Sequence, residues 1–276
     1  MDRIRLIASD MDATLLDEQS QLPADFEETI HALAELGIRF APASGRPLYT
    51  LEAMFPTLQD ELVFIGDNGG AIRWNGQNLF TSEMSPEGWR ALNRLTREQG
   101  DIAVLCGLES AYVERSFAVH DAVLRHFYTK IEYVDRLEDV TAPADKFTIY
   151  LPQHNAQQAY DTVYASQRSI YSVAVAGECW VDIMNPGVHK GAALQTLGQL
   201  WGLPSESMMA FGDTYNDAEM LQTVRYGFLM ENGSEPLRQK VPFLAPSHRE
   251  AGVMQVLHRV LAQNGCVCPE DFIPAH

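Results

Sequence analysis

Apolar residues fall into two patterns along this chain. Before residue 82, short uninterrupted apolar runs at 4–9, 38–43 and 62–65 surround one segment with helical spacing. That segment, 24–36, repeats Phe26, Ile30, Leu33 and Ala34 ahead of a glycine stop at Gly37. Continuous rather than alternating hydrophobicity predicts strands covered on both faces, the habit of a parallel sheet. Residues 71–74 and 77–80 flank Asn75-Gly76, which predicts a β-hairpin with a primed turn. The same grammar returns after Asn185-Pro186-Gly187. Helices are expected at 191–201, 217–223, 235–240 and 251–263, and strands at 208–211, 226–230 and 243–245.

The middle of the chain reads differently. Ser85-Pro86 opens a helix that Gly100 closes. Strands at 102–106 and 111–114, a helix at 119–128, a loop over Ala142-Pro143-Ala144-Asp145 and a strand at 147–151 follow. A helix at 154–168 and strands at 170–176 and 179–184 repeat the helix–strand–strand order. Strands joined by short links imply an antiparallel sheet in an α+β layer. The expected architecture is therefore α/β: a doubly wound parallel-sheet core built from 1–82 and 186–276, interrupted by an inserted α+β domain at 83–185.

Composition narrows the partners. The chain has 276 residues, 46% hydrophobic, which fills a sizeable core and excludes a disordered or coiled-coil protein. Its 37 acids against 20 bases give a net charge of -17, which argues against nucleic acid and anionic membranes. Any phosphate must be held by a local device. Four cysteines are too few for a disulfide framework. No apolar stretch approaches the ~18 residues of a membrane span, and no signal-peptide anatomy precedes the first strand. A cytoplasmic protein is expected, as monomer or homodimer.

In an open parallel sheet, ligands bind beyond the carboxyl ends of the strands. Polar clusters stand at such ends here: Asp10-Met11-Asp12-Ala13-Thr14, Ser44-Gly45-Arg46, Asp67-Asn68-Gly69-Gly70, and Gly212-Asp213-Thr214-Tyr215-Asn216-Asp217. His189-Lys190-Gly191 opens the helix that leads back into the core. Asp10, Asp12, Asp213 and Asp217 repel one another unless a hard cation lies among them, and Mg²⁺ suits oxygen ligands. Lys190, one of four lysines, can meet a phosphoryl oxygen. Together these residue types supply what phosphoryl transfer needs: positioning and charge stabilisation. Ionised Asp10 can attack phosphorus, and Asp12 can protonate the leaving oxygen. Arg46 reads more readily as an ion-pair anchor than as a phosphate contact.

The Asp10–Thr14, Ser44-Gly45-Arg46, Lys190-Gly191 and Gly212–Asp217 motifs, in this order, resemble the haloacid dehalogenase-like (HAD) phosphatases, specifically the Cof-type subfamily with a class IIB α+β cap. The resemblance runs through the whole chain and implies a Rossmann-like core under a specificity cap. It implies Asp10 as nucleophile and Asp12 as general acid/base. Asp10, the Asp12 main-chain carbonyl and Asp213 would hold Mg²⁺, with Asp217 in support. Ser44, Gly45, Lys190 and Asn216 would bind phosphate, and Arg46, Asn68 and Gly69 would lie near the substrate. Ala13 stands where the family usually has glycine, and alanine fits that turn only if φ stays negative. The expected activity is Mg²⁺-dependent hydrolysis of a small phosphomonoester, such as a sugar phosphate, through an aspartyl-phosphate. A phosphosugar mutase of the same fold and a non-catalytic phospho-ligand binder stay open as alternatives.

Overall fold

The uninterrupted apolar runs become the centre of a nine-stranded sheet. In the computed structural model, which describes residues 1–276, the chain begins with β1 (Asp2–Arg3), β2 (Leu6–Asp10), α1 (Phe26–Glu35) and β3 (Arg39–Ala43). Next come α2 (Leu48–Ala53), β4 (Val63–Gly66) and the hairpin β5 (Ala71–Trp74) and β6 (Gln77–Thr81). The middle holds α3 (Pro86–Gln99), β7 (Ile102–Gly107), β8 (Ala111–Glu114), α4 (Asp121–Phe127) and β9 (Ile131–Val134). It continues with β10 (Ala144–Tyr150), α5 (Ala156–Thr162), β11 (Ser172–Val175) and β12 (Trp180–Met184). Then follow α6 (Lys190–Trp201), β13 (Met208–Gly212), α7 (Ala218–Thr223), β14 (Tyr226–Met230) and α8 (Glu235–Arg238). The chain closes with β15 (Phe243–Ala245), α9 (Gly252–Ala262), β16 (Cys266–Val267) and β17 (Ile273–Pro274).

The large sheet has the order β17-β15-β14-β13-β2-β3-β4-β5-β6. It is parallel from β15 to β4 and antiparallel at both edges. The chain winds outward from β2 in both directions, so the strand order reverses between β2 and β13. That switch point opens a crevice at their carboxyl ends. Apolar side chains alternate to the two faces: Ile7, Phe40 and Phe211 toward α1 and α9, Leu6, Ala41 and Ala210 toward α6 and α7. Asn75 and Gly76 take φ of +48° and +70°, the primed turn the dipeptide predicts.

The second sheet has the order β11-β12-β10-β7-β8-β9. Phe147, Ile149, Val181 and Ile183 of one face pack with Trp89 and Leu92 of α3 and Ala156 of α5. Its Ser85 side chain accepts the Gly88 N–H at 3.1 Å, and Gly100 ends α3 at φ +75°. Three expectations change. All pairs are antiparallel except β8–β9, which is parallel, and β9 itself had no sequence signal, being a four-residue, half-exposed edge strand. Ala144 and Asp145, read as loop, begin β10 and are buried in it. The helix expected over 154–168 is only α5, because Val163 leaves helical geometry and a short 3₁₀ turn follows.

Candidate active site

The carboxyl ends of β2 and β13 carry the acidic motifs into one crevice. Asp10 ends β2 and Asp213 follows β13, and the two strands are hydrogen-bonded neighbours. Lys190 opens α6 with no solvent exposure, and its Nζ donates to Asp10 Oδ1 at 2.5 Å and Asp217 Oδ1 at 2.7 Å. Asp217 is fully buried too. Its Oδ2 accepts the Asp213 and Thr214 N–H groups at 3.1 and 3.2 Å, closing a capping box that sets the Gly212–Asp217 loop. A Cβ on Gly212 would fall 2.4 Å from Asp217 Cβ, so only glycine permits this closure. His189 faces away from the chemistry and caps α6 by accepting the Ala192 N–H at 3.2 Å.

The other motifs arrive from β3 and β4. Ser44 is buried, with its Oγ accepting the Arg46 N–H at 3.1 Å, which leaves the hydroxyl proton free. Arg46 Nη2 donates to Asp12 Oδ1 at 3.0 Å while Nη1 lies 2.7 Å from Oδ2. The guanidinium fork therefore anchors Asp12, as an ion-pair reading of Arg46 requires. Asn68 N–H binds the Ser44 carbonyl at 2.9 Å, tying the β3 and β4 motifs together. Gly69 is placed elsewhere: a Cβ there would fall 2.6 Å from the His189 carbonyl, so it seats the start of α6 and does not line the cleft.

The cleft has a volume of about 550 Å³, with Asp10, Asp12, Ser44, Gly45, Asp213 and Asn216 at one end. Lys190 and Asp217 sit behind this wall, so the lysine acts on the cleft through Asp10. Asn216 lies exposed at the rim, where its Oδ1 accepts the Thr214 hydroxyl at 2.6 Å. Burial and the nearby Asp217 push Asp10 up to about 8, against the pull of Lys190. Burial likewise pushes Asp213 up to about 6, and the two aspartates draw Lys190 above its ordinary value against the effect of burial. Three buried carboxyls against one ammonium leave the site short of positive charge. Asp10, Asp213 and Asp217 place ligand oxygens within 4.8 Å of one another, a hard-oxygen set that fits Mg²⁺.

The tight turn after Asp10 departs from expectation. Ala13 takes φ +58°, ψ 13°, the left-handed region, and not the negative φ an alanine prefers. Asn232 holds this turn, its Nδ2 donating to the Ala13 carbonyl at 2.9 Å while its Oδ1 accepts the His248 N–H at 3.0 Å. None of the strand-end motifs pointed to Asn232. Sequence reasoning also passed over Lys146, Thr148, Asp182 and the aromatic residues Phe127, Tyr128 and Trp180, all of which line the cleft. The signal was the alternation Lys146-Phe147-Thr148-Ile149: polar side chains on one face of a strand whose every residue is buried.

Residues 7–257 match the sequence pattern of the haloacid dehalogenase-like hydrolases. The chain belongs to that family. It is 31% identical to a 5-amino-6-(5-phospho-D-ribitylamino)uracil phosphatase of Escherichia coli K12, over 94% of this chain and 96% of that protein. It is also 31% identical to an HMP-PP phosphatase of Cronobacter sakazakii, over 87% and 89%. A solved protein of Streptococcus mutans UA159 superposes with a TM-score of 0.84 at 27% identity, covering 94% of this chain and 99% of that one. A HAD/COF-like hydrolase of Plasmodium vivax gives 0.84 at 18% identity, over 95% and 97%, and shows the shared fold. This chain is accordingly an enzyme, a haloacid dehalogenase-like hydrolase. No helix is long and apolar enough to cross a membrane.

Proposed function

We propose that the protein is a Mg²⁺-dependent phosphatase acting on a small phosphorylated metabolite, with Asp10 as nucleophile and Asp12 as general acid/base. The observation that carries this is the meeting of Asp10, Lys190 and Asp213 at the closed end of the cleft, beside Asp12. Phosphatase names among the relatives support the reaction class. Residues 83–185 would serve as the cap over a core of 1–82 and 186–276.

Lys190 holds Asp10 Oδ1, which leaves Oδ2 to attack phosphorus in line and form an aspartyl-phosphate. Asp12, protonated and so free of one arm of the Arg46 fork, gives that proton to the leaving oxygen as its P–O bond breaks, and the carboxylate regains the fork. Water then attacks the phosphorus of the aspartyl-phosphate, its proton passes to Asp12, and Asp10 is regenerated. Ser44, the Gly45 loop and Asn216 would orient the phosphoryl oxygens. Asp10, Asp213 and the Asp12 carbonyl would hold Mg²⁺, with Asp217 positioning the loop; the ion neutralises charge on the transferring group. The test is phosphate release from a panel of phosphomonoesters with Mg²⁺, with EDTA, and with Asp10→Asn. Turnover lost in both controls supports the reading, and folded protein inert toward every ester overturns it.

A further inference from the structure

The end of the cleft away from Asp10 has its own chemistry. Strand register puts Lys146, Thr148 and Tyr150 of β10 on the same sheet face as Trp180 and Asp182 of β12. Trp180 packs edge-on against Phe127 at 5.0 Å and against Tyr128 at 6.3 Å, so the three rings form one aromatic wall. Beside it the end of β11 and the turn after it present Ala174, Val175, Ala176 and Gly177, which add no polar side chain. Between this wall and the phosphate end stands Asn68. Its Nδ2 donates to Asp182 Oδ2 at 3.2 Å, and because a carboxylate only accepts, this fixes the orientation of the amide. Asn68 Oδ1 is thereby left as a buried acceptor without a partner, in a residue 8% exposed. It lies 3.3 Å from where a Gly45 Cβ would be, next to the proposed phosphate loop.

Resting on the phosphatase reading, we infer that this wall is a subsite for a planar ring on the leaving group. Asn68 Oδ1 accepts a hydrogen bond from the hydroxylated chain that links ring to phosphate. A bare sugar would leave its far hydroxyls against Ala174, Val175 and Ala176 with no partner. A flat ring sets apolar faces against such a wall and gains aromatic stacking. The favoured substrate class is thus a nucleotide-like phosphomonoester: ring, short polyol, terminal phosphate.

Uridine 5′-monophosphate and ribose 5-phosphate differ only by such a ring and form the test pair. The wild-type enzyme with Mg²⁺ is expected to show kcat/KM at least about tenfold higher for the nucleotide, carried by KM. Phe127→Leu, at a half-exposed position, is expected to cut the nucleotide's kcat/KM by about tenfold and the sugar's by less. Equal kcat/KM for the two esters in wild type, or equal loss in Phe127→Leu, overturns the subsite. Should Phe127→Leu fail to fold, the wild-type ratio decides alone. If neither ester is hydrolysed, calorimetric binding of the pair to the wild-type protein separates the two readings. Tighter binding of the nucleotide then upholds the subsite while the phosphatase reading falls, and equal or absent binding overturns the subsite itself.

Discussion

Two buried clusters in this molecule share one composition, a lysine among three aspartates, and differ in what they do with surplus charge. Lys190 pairs with Asp10 and Asp217 at the carboxyl ends of β2 and β13, and Asp213 lies against the two carboxylates. Lys146 meets Asp67 at 2.9 Å and Asp182 at 3.6 Å, beside Asp145, where the second sheet touches the β3 and β4 motifs. In the second cluster the lysine is fully engaged inside the protein. Lys146 Nζ also donates to the Gly45 carbonyl at 2.6 Å, and Asp182 Oδ1 accepts the Thr148 hydroxyl at 2.7 Å. Burial and the neighbouring Asp67 push Asp145 well above the ordinary carboxyl range, and both its carboxyl oxygens are buried without a hydrogen-bond partner. In the first cluster Asp10 and Asp213 face the cleft, and their excess negative charge is open to a cation and a phosphoryl group. One lysine and three aspartates thus make a reactive centre where carboxylates open to the cleft and a clamp where the lysine is tied to its neighbours.

The contrast breaks first on activity. Asp10→Asn is expected to lower kcat by about 10⁴-fold or more, the scale of losing a nucleophile. Its unfolding midpoint in urea should stay near the wild-type value, because the amide keeps the shape and still accepts from Lys190. Lys146→Met should do the reverse. It strands Asp67 and Asp182 without their cation, and removing one partner of a buried pair costs about 3–5 kcal/mol. Urea unfolding measures that loss. A Lys146 variant as stable as wild type would mean that the clamp is no clamp.

Cation binding sharpens the same distinction. At a hundredfold excess over its dissociation constant, Mg²⁺ should stabilise the wild-type fold by about 2.7 kcal/mol. Asp213→Asn should lose most of that increment, and Lys146→Met should keep it. Thermal melts with Mg²⁺ and with EDTA give both numbers.

The pH dependence of stability tests the second cluster by difference, because Asp10 and Asp213 also carry raised values. A carboxyl raised on folding holds its proton in the native state after the unfolded chain has released it. The native state therefore binds more protons, and stability falls as pH rises from near the ordinary Asp value of 3.8. One such group contributes a slope of up to about 1.4 kcal/mol per pH unit. Asp145→Asn retains a donor toward Asp67 and carries no proton to lose. Urea unfolding between pH 5 and pH 8 should be flatter in this variant than in wild type. Parallel slopes would show that Asp145 is not the group holding the proton.

The open cluster was legible in sequence and the sealed one was not, for a reason of distance along the chain. Asp10, Ser44 and Asp213 each stand at or just past the end of an unbroken apolar strand, so local pattern and the strand-end rule suffice to bring them together. Lys190 opens a helix that follows such a turn. Asp67, Asp145, Lys146 and Asp182 converge only through the register of β10 with β12 and the approach of that sheet to the core. Polar residues alternating along β10 look like a solvent face until the sheet is seen to be covered. β9 escaped notice for a related reason, since its parallel pairing with β8 depends on a partner twenty residues away.

The smallest expected effect lies in the turn after the nucleophile. Ala13 holds φ +58° where its Cβ crowds the backbone, a conformation costing an L-residue about 1 kcal/mol or more. Ala13→Gly removes that strain but gives the unfolded chain more freedom, which offsets part of the gain. The net stabilisation should be about 0.5 kcal/mol, visible as a modest rise in the urea midpoint. Ala13→Val places a β-branched side chain at the same φ and should destabilise by more than glycine stabilises. The Asn232 bond to the Ala13 carbonyl makes the expectation sharper: it is what keeps alanine in this turn. Asn232→Ala should therefore destabilise the Ala13 protein more than it destabilises Ala13→Gly, because glycine stays in the turn unaided. A double-mutant cycle with no coupling between positions 13 and 232 would assign the strain elsewhere.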